Sequence, residues 1–399
     1  MRNPIVITGV VFFAVLAAAA WGEAGTGIRS GPFTLSPVVE VAAVYDSNID
    51  RLSTDEEDAT FFDAELSLSL GYRAREVEFS GTGFLGQRFY TEDGDRDFST
   101  GGEILSLQYG SRDRIAIAVQ QSYRKVEDLD TFGPDAEVGG MAPDAFLDAD
   151  VRRRREILEA GATVEATPTD KLDVSAGYRY SETDYSSTNL FDLDGHGAQL
   201  EAGHRLTDKV AALVTVMGGI QESEDVDDSS QYTAARLGLR MRGTDRLNYK
   251  AGIGYQNLDR PEGLDSEDGF HYDALASWAA TDKTAVQLEG RNGMQLSSIH
   301  LGNAVDYSVA RLGVSYRMSS SMALTASGVY RIDDYADRVL NEGELVHRKD
   351  KGATLKLRAD YKLPAKYLLL FVEGSYENVD STIRDYEVTR VSLGVDVEI

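Results

Sequence analysis

The sequence predicts an all-β protein: a transmembrane, antiparallel, up-and-down β-barrel of about 18 strands, with short periplasmic turns and long acidic extracellular loops. Three observations carry this reading. First, one turn keeps returning. Thr169-Asp170-Lys171, Thr207-Asp208-Lys209, Thr244-Asp245-Arg246 and Thr281-Asp282-Lys283 are nearly the same tripeptide, and their aspartates fall 37 or 38 residues apart. Arg112-Asp113 before the series and Ser319-Ser320-Ser321 after it keep roughly that step, apart from one long insertion. Second, two strand-length stretches of alternating apolar and polar residues lie between successive turns. A hairpin repeated at constant period means one unit repeated around a closed or stacked array. Third, the connections alternate in length, as they do in outer-membrane barrels.

The chain opens Met1-Arg2-Asn3-Pro4 and then runs apolar over residues 5–20, with small residues up to Ala24. One positive charge, an apolar core and a small-residue exit predict a signal peptide over residues 1–22, cleaved after Gly22 or as late as Ala24. The run is short for a bilayer span of about 20 residues. A single domain fills residues 23–399, with no linker and no change of composition. The chain has no cysteine, so it is neither a lipoprotein nor stapled by disulfides. An exported chain of this kind fits a Gram-negative-type envelope, with its destination the cell outer membrane. The net charge of −26 excludes nucleic acid as a partner, because that needs a basic footprint. Nothing after residue 20 reads as a spanning helix, but barrel strands bury only alternate residues and look polar on average.

The first strand is expected at about residues 34–48 and the last at about 386–399. Ile115, Ile117, Val119 and Tyr123 share one face opposite Arg114, Gln120, Ser122 and Arg124. Leu172, Val174, Ala176, Tyr178 and Tyr180 oppose Asp173, Ser175 and Arg179. Leu355, Leu357, Ala359 and Tyr361 oppose Lys356, Arg358 and Asp360. Period two is the strand signature. Short turns are expected near Arg75, Asp113, Asp170, Asp208, Asp245, Asp282, Ser320 and Ala365. Longer acidic loops are expected over residues 92–97, 222–228, 259–268 and 333–350.

Aromatic residues test the reading independently. Tyr72, Tyr109, Trp278, Tyr316 and Tyr361 each lie three or four residues before a short turn. Tyr123, Tyr178, Tyr255, Tyr330 and Tyr376 lie about eight to eleven residues after one. Two offsets give two belts, one at each membrane interface, facing lipid and lipopolysaccharide. A soluble β-sandwich would want a bulkier inner face than these thin rows of Ala, Val, Leu and Tyr.

In a barrel of this size the interior is a water channel. Its polar rows carry about twenty basic against about fifteen acidic residues, so the acidic excess belongs to the loops. Arg236, Arg240, Lys250, Arg291, Arg311, Arg317, Arg331, Lys356, Arg358 and Arg390 fall on the tenth to eighteenth strands, as one basic wall. Such a wall favours anionic solutes or polymers. Pairing with Glu289, Asp360, Glu373 and Asp396 would instead make it a stiffening element. The longest connection, 126–149, follows the fifth strand. It carries Asp128, Asp130, Phe132, Asp135, Asp144 and Phe146 as candidate constriction residues. In general porins the loop at that ordinal position folds inward and narrows the pore; an outward cap is the alternative.

Glu222, Glu224, Asp225, Asp227 and Asp228 could hold divalent cations loosely, and Asp192-Leu193-Asp194-Gly195 is a fragment of a calcium-loop pattern. A solvated acidic surface is the plainer reading. The five histidines, His196, His204, His271, His300 and His347, show no metal-ligand spacing. His271 with Asp273, or His300 with Ser297 and Ser298, would be the only catalytic pairs. The reading is therefore no enzyme and no cofactor.

The first strand reads Ser36-Pro37-Val38-Val39-Glu40-Val41-Ala42-Ala43-Val44-Tyr45-Asp46-Ser47-Asn48-Ile49. A proline-led strand ending Tyr-Asp-x-Asn-Ile resembles the opening of outer-membrane β-barrel porins often encoded with exopolysaccharide biosynthesis genes. The resemblance extends over the mature chain in barrel length and strand–turn layout. It implies an outer-membrane location and an exit port for exported polysaccharide, with periplasmic export proteins as partners. No site residue carries over. The barrel assembly machinery is a further expected partner. Many of its clients end in Phe or Trp, whereas this chain ends Val395-Asp396-Val397-Glu398-Ile399. Three functions stand: polysaccharide export, diffusion of small anionic solutes, and a structural or surface-interaction barrel with a blocked lumen.

Overall fold

The computed structural model describes residues 27–398 except 51–55, 93, 112–113, 129–152, 187–191, 224–225, 262–263, 298–302, 342–343, 365–366 and 384. The expected signal peptide lies outside the described residues. The strands are β1 (Ile28–Ser30), β2 (Phe33–Asp46), β3 (Ala59–Arg73), β4 (Val77–Tyr90), β5 (Phe98–Ser111), β6 (Ile115–Asp128), β7 (Arg153–Thr169), β8 (Leu172–Tyr185), β9 (Leu193–Arg205) and β10 (Val210–Ser223). They continue as β11 (Val226–Thr244), β12 (Leu247–Asp259), β13 (Glu267–Trp278), β14 (Thr284–Leu296), β15 (Ala304–Arg317), β16 (Met322–Asn341), β17 (Glu344–Lys362), β18 (Leu368–Ser381) and β19 (Tyr386–Glu398). A single 3-10 turn, Gly94–Arg96, interrupts the β4–β5 connection.

From β2 to β19 each strand pairs antiparallel with the next, and β19 pairs antiparallel with β2. That closes an 18-stranded barrel. The even count is what allows the first and last strands to run antiparallel. The three-residue β1 was not foreseen. Gly31, in the left-handed region at φ 61°, turns it back onto the start of β2. There β1 pairs with Phe33, Thr34 and Leu35, below the point where β19 ends against Val38. It therefore extends the cover on the same edge of β2.

The recurring tripeptide is a hydrogen-bonded turn. The Thr169 hydroxyl accepts the Lys171 amide (3.4 Å), Thr207 the Lys209 amide (3.2 Å), Thr244 the Arg246 amide (3.2 Å) and Thr281 the Lys283 amide (3.1 Å). Ser319 does the same for Ser321 (3.1 Å). A short hydroxyl that bonds the backbone two residues on satisfies a turn amide that has no ladder partner. This is why the residue type, and not merely turn length, repeats.

The other end of the barrel differs from expectation. Residues 222–228 and 333–350 do not form long loops. β10 and β11 leave only residues 224–225 between them, and β16 and β17 leave only 342–343. The strands run on past the apolar band as polar ladders, where no lipid imposes alternation. The expected loop 126–149 likewise begins later: β6 continues to Asp128 and pairs it with Arg153. Among the described residues no helix is long and apolar enough to cross a membrane; strands do the crossing.

Alternation decides the two faces. Leu66, Leu68 and Leu70 on β3, Leu237 and Leu239 on β11, and Leu355 and Leu357 on β17 are all exposed on the outside. Seam closure is built from the sequence around Tyr45. Inward-facing Asp46 accepts two hydrogen bonds from the Arg390 guanidinium (3.0 and 2.8 Å) across the β2–β19 seam. Asp46 also accepts the Asn48 amide (3.0 Å), and Asn48 donates its side-chain NH2 to the Glu387 carbonyl (3.3 Å). Ile49 is buried with Ala42, Val44, Phe61 and Phe371. The Tyr-Asp-x-Asn-Ile segment is thus the clasp of the barrel.

Two outcomes follow. Leu237→Arg, on the lipid face midway between the aromatic belts, should lower barrel stability by about 2–4 kcal/mol in denaturant titrations in lipid vesicles; no loss would mean that this face meets water. Asp46→Ala strands a buried guanidinium and should cost about 3–5 kcal/mol. The double variant Asp46→Leu, Arg390→Leu should recover most of that, read by the temperature at which the folded band disappears on a gel.

Candidate functional site: the charged lumen

The inward rows carry the only concentrated chemistry among the described residues. On β11 and β12, Arg236, Arg240 and Lys250 alternate with lipid-facing Leu237, Leu239 and Tyr249. On β14 and β15, Arg291 and Arg311 lie in register with inward neighbours Asp273 and Glu289. On β16 to β19, Arg331, Lys356, Arg358 and Arg390 share the inner face. Arg317 sits exposed at the turn end of β15. All ten residues of the expected basic wall therefore fall on inward-facing positions, nine of them within the barrel and one at its rim.

Most of them have carboxylate partners on that same inner face. Arg236 pairs with Asp273. Arg240 and Arg205 share Asp173 at 3.1 and 2.9 Å, and Lys250 meets Glu201 at 2.8 Å. Arg358 bridges Asp360 (2.8 Å) and Asp396 (3.2 Å). Arg390 holds Asp46, and Arg331 holds Asp333 at 2.6 Å. The wall is thus a ladder of donors and acceptors, with its field largely cancelled at short range. Pairing reaches Asp360 and Asp396, as the stiffening alternative expected. Its main carboxylates are others: Asp46, Asp173, Glu201, Asp273 and Asp333.

A local sequence pattern underlies part of this. Arg331-x-Asp333, Arg348-x-Asp350 and Arg358-x-Asp360 each place a cation and an anion two residues apart, hence on one face of one strand. The Arg348–Asp350 pair, at 2.7 Å and fully buried, was missed in the sequence because that stretch reads as loop. The Arg-x-Asp spacing was the available signal.

Inward aromatic rings lie beneath these guanidiniums. Arg358 sits 4.0 Å from the Phe371 centroid, Arg88 4.6 Å from Phe61, Arg348 4.8 Å from Tyr335 and Arg331 5.1 Å from Tyr307. Each ring face holds its cation by the ring quadrupole, worth about 0.5–2 kcal/mol depending on desolvation. Glycines make room for some of them: a Cβ on Gly293 would lie 2.6 Å from the Tyr307 hydroxyl. Toward the extracellular end Arg331, Asp333, Tyr335, Arg348 and Asp350 are all buried. The interior at that level is filled by side chains.

The remaining expected site residues divide cleanly. Tyr109, Trp278, Tyr316 and Tyr361, with Tyr178, Tyr255, Tyr330 and Tyr376, are exposed on the outer face. Tyr72 leans on Phe33, and Tyr123 donates to Glu156 (2.7 Å). Asp128 ends β6, and Asp130, Phe132, Asp135, Asp144 and Phe146 lie outside the described residues. Asp192 accepts the Tyr185 amide (2.6 Å), which makes it a hairpin cap. Glu224 and Asp225 are outside the described residues, among which no group of three or more potential metal ligands converges. Asp273 is taken by Arg236, and His271 Nδ1 has no hydrogen-bond partner, so that catalytic pair is not assembled. His300 and Ser298 are outside the described residues.

The barrel is similar to solved outer-membrane structures. Pseudomonas aeruginosa OccK2 (OpdF) aligns with a TM-score of 0.50 at 12% identity, over 94% of this chain and 99% of that one. Acinetobacter baumannii OccAB3 aligns at 0.47 and 13%, over 93% and 100%, and P. aeruginosa OccK3 (OpdO) at 0.45 and 15%, over 92% and 95%. At these identities the likeness is one of fold. Among proteins of curated function none matches the sequence. The model of the family described as "Putative beta-barrel porin 2" matches residues 23–399, and the chain belongs to that family: it is a porin-like β-barrel channel of the outer membrane.

Proposed function

We propose that the channel passes hydrophilic, polyhydroxylated solutes, and that its specific role is the export of a polysaccharide. The observation that carries this is the paired wall. Guanidiniums held by Asp173, Asp273, Asp333, Asp360 and Asp46, with the Lys250 ammonium held by Glu201, offer dense donors and acceptors with little net field. Sugar hydroxyls can use both kinds of group. A small anion gains less from a cation that is already neutralised. The resemblance of the Tyr45–Ile49 segment to porins encoded with exopolysaccharide genes supports the polymer over the monomer. Acidic sugars fit the same wall where Arg317 stands exposed at the rim, with no ion pair among the described residues. The chain acts by passage and not by catalysis.

A second reading, a barrel closed at rest, is supported by the buried Arg348, Asp350, Tyr335 and Arg331 toward the extracellular end. Planar-bilayer recordings separate the two. Stable single-channel steps, interrupted by added oligosaccharide from the periplasmic side, are expected for the export channel. A well-folded barrel that shows neither conductance nor block would sink that reading and leave the closed one. In the same recordings, Arg291, Arg311 and Arg331 changed together to Asp should lower the anion-to-cation permeability ratio at least several-fold, because each swap moves the wall by two charges. An unchanged reversal potential would remove these three arginines from ion selection.

A further inference from the structure

At the level of the upper aromatic belt the barrel wall is interrupted once among the described residues. β13 and β14 share only six registered pairs, from Asp273 opposite Arg291 to Trp278 opposite Val286. The next shortest seam, β19–β2, has nine. Both strands continue beyond Asp273 and Arg291, still paired with their outer neighbours β12 and β15, but not with each other. The Asn292 side chain fills the end of the seam. Its Oδ1 accepts the Tyr272 amide (2.6 Å), and its Nδ2 donates to the Phe270 carbonyl (2.7 Å).

Past this clip β14 leaves the line of the wall and passes on the lumen side of β13. Met294 belongs by alternation to the lipid-facing row of Val286 and Leu288. Yet a Cβ on inward-facing Gly269 would lie 2.7 Å from the Met294 methyl. Leu296 and Ala304, of the same outer row, are buried against inward-facing Leu258, with Met294 and Tyr232 beside them. The outer face of the β14–β15 end thus packs on the inner face of β12–β13. Its tip is tied onward and back: Asn303 exchanges two hydrogen bonds with the Asp337 backbone (3.0 and 3.2 Å) on β16, and Asp337 pairs with Arg260, the residue after β12.

The height of the break matters. Phe270 is in register with Tyr255 of the upper belt and is 72% exposed. The break therefore opens at the outer-leaflet interface. A water-soluble solute gains nothing from a side opening there, because it enters along the axis. Only a molecule already dissolved in the leaflet meets it. Behind the break lies an apolar cluster, and deeper still Arg291 and His271.

We propose that the β13–β14 break is a lateral portal for a single-chain amphiphile moving between the lumen and the outer leaflet. The acyl chain follows Met294, Leu296 and Leu258, and the polar head stays toward Arg291. Opening releases the Asn292 clip and the Arg260–Asp337 pair, which bridge the two sides of the break, and leaves every registered ladder intact.

The chain has no cysteine, so Gly269→Cys with Met294→Cys gives one unambiguous crosslink that pins β14 to β13. The full barrel is reconstituted in phosphatidylcholine vesicles. Fluorescent lysophosphatidylcholine added to the outer leaflet is followed by extraction with albumin, which is too large for the pore, and arabinose permeation is followed by vesicle swelling. The unmodified barrel should move the lysolipid inward at least several-fold faster than empty vesicles. The oxidised double variant should fall to the empty-vesicle rate while arabinose swelling persists, and reduction should restore transfer. Asn292→Ala, which removes the clip without a crosslink, should raise the lysolipid rate about two-fold or more with swelling unchanged. Lysolipid transfer no faster than in empty vesicles, or a crosslink that slows neither probe, overturns the portal. A crosslink that slows both overturns it too, and makes the β14–β15 end a gate of the axial pore.

Discussion

In hydrocarbon no water is present to satisfy a backbone amide or carbonyl, so a sheet that crosses a membrane can have no free edge. Every other property of this molecule depends on that requirement being met at one place, where the last strand returns to the first. β19 and β2 meet over a ladder that is short for this barrel. The seam is reinforced from the lumen by Asp46 and Arg390, from above by Asn48 bonded to the Glu387 carbonyl, and at the periplasmic end by β1. The 16 strands between them need only local hairpin pairing. These two need contacts more than 330 residues apart in sequence, the most demanding closure in chain entropy. A specific clasp is the expected device at such a join.

Closure also fixes the interior. Once lipid claims one face of every strand, polar residues have only the lumen or the rims to occupy. Charges gathered there without partners would carry a heavy desolvation cost wherever side chains crowd out water. Pairing most of these cations with carboxylates of the same or a neighbouring strand, or of strands two or three away, resolves this. Stacking the guanidinium on an aromatic ring then fixes its position. The same arrangement that stiffens the wall thus gives it its hydrogen-bonding surface. Stability and recognition are here properties of one set of side chains.

How much of this was legible depended on which solvent each segment faces. Where lipid enforces alternation, as along Leu172–Tyr180 and Leu355–Tyr361, sequence and structure agree strand by strand. The turn tripeptides were legible because a hydroxyl at a fixed place does a fixed job. Legibility failed above the membrane. Residues 333–350 are rich in acid and short of alternation because their inner face is a packed charged cluster rather than an apolar one. They read as loop although their described residues extend β16 and β17 as paired strands, with one irregularity between Asp334 and Arg338. The buried Arg348–Asp350 pair went with them. The inner wall was legible as positions but not as pairs. Alternation tells which way Arg240 points, but only barrel curvature and shear bring it to Asp173, three strands away. Asn292 had a faint signal, a polar residue in the row of Val286, Leu288 and Gly290. Nothing in the sequence said that it ends a ladder.

The uniform hydroxyl turn has an architectural consequence. Thr169, Thr207, Thr244, Thr281 and Ser319 close units that are interchangeable in length and in the way each ends. The parts that must be unique sit only in the first and last strands. Whole hairpins can therefore be gained or lost between them without redesigning the join. Bore grows with strand number, so the calibre of such a conduit can change in discrete two-strand steps, as a pipe is resized by adding staves while keeping the same hoop.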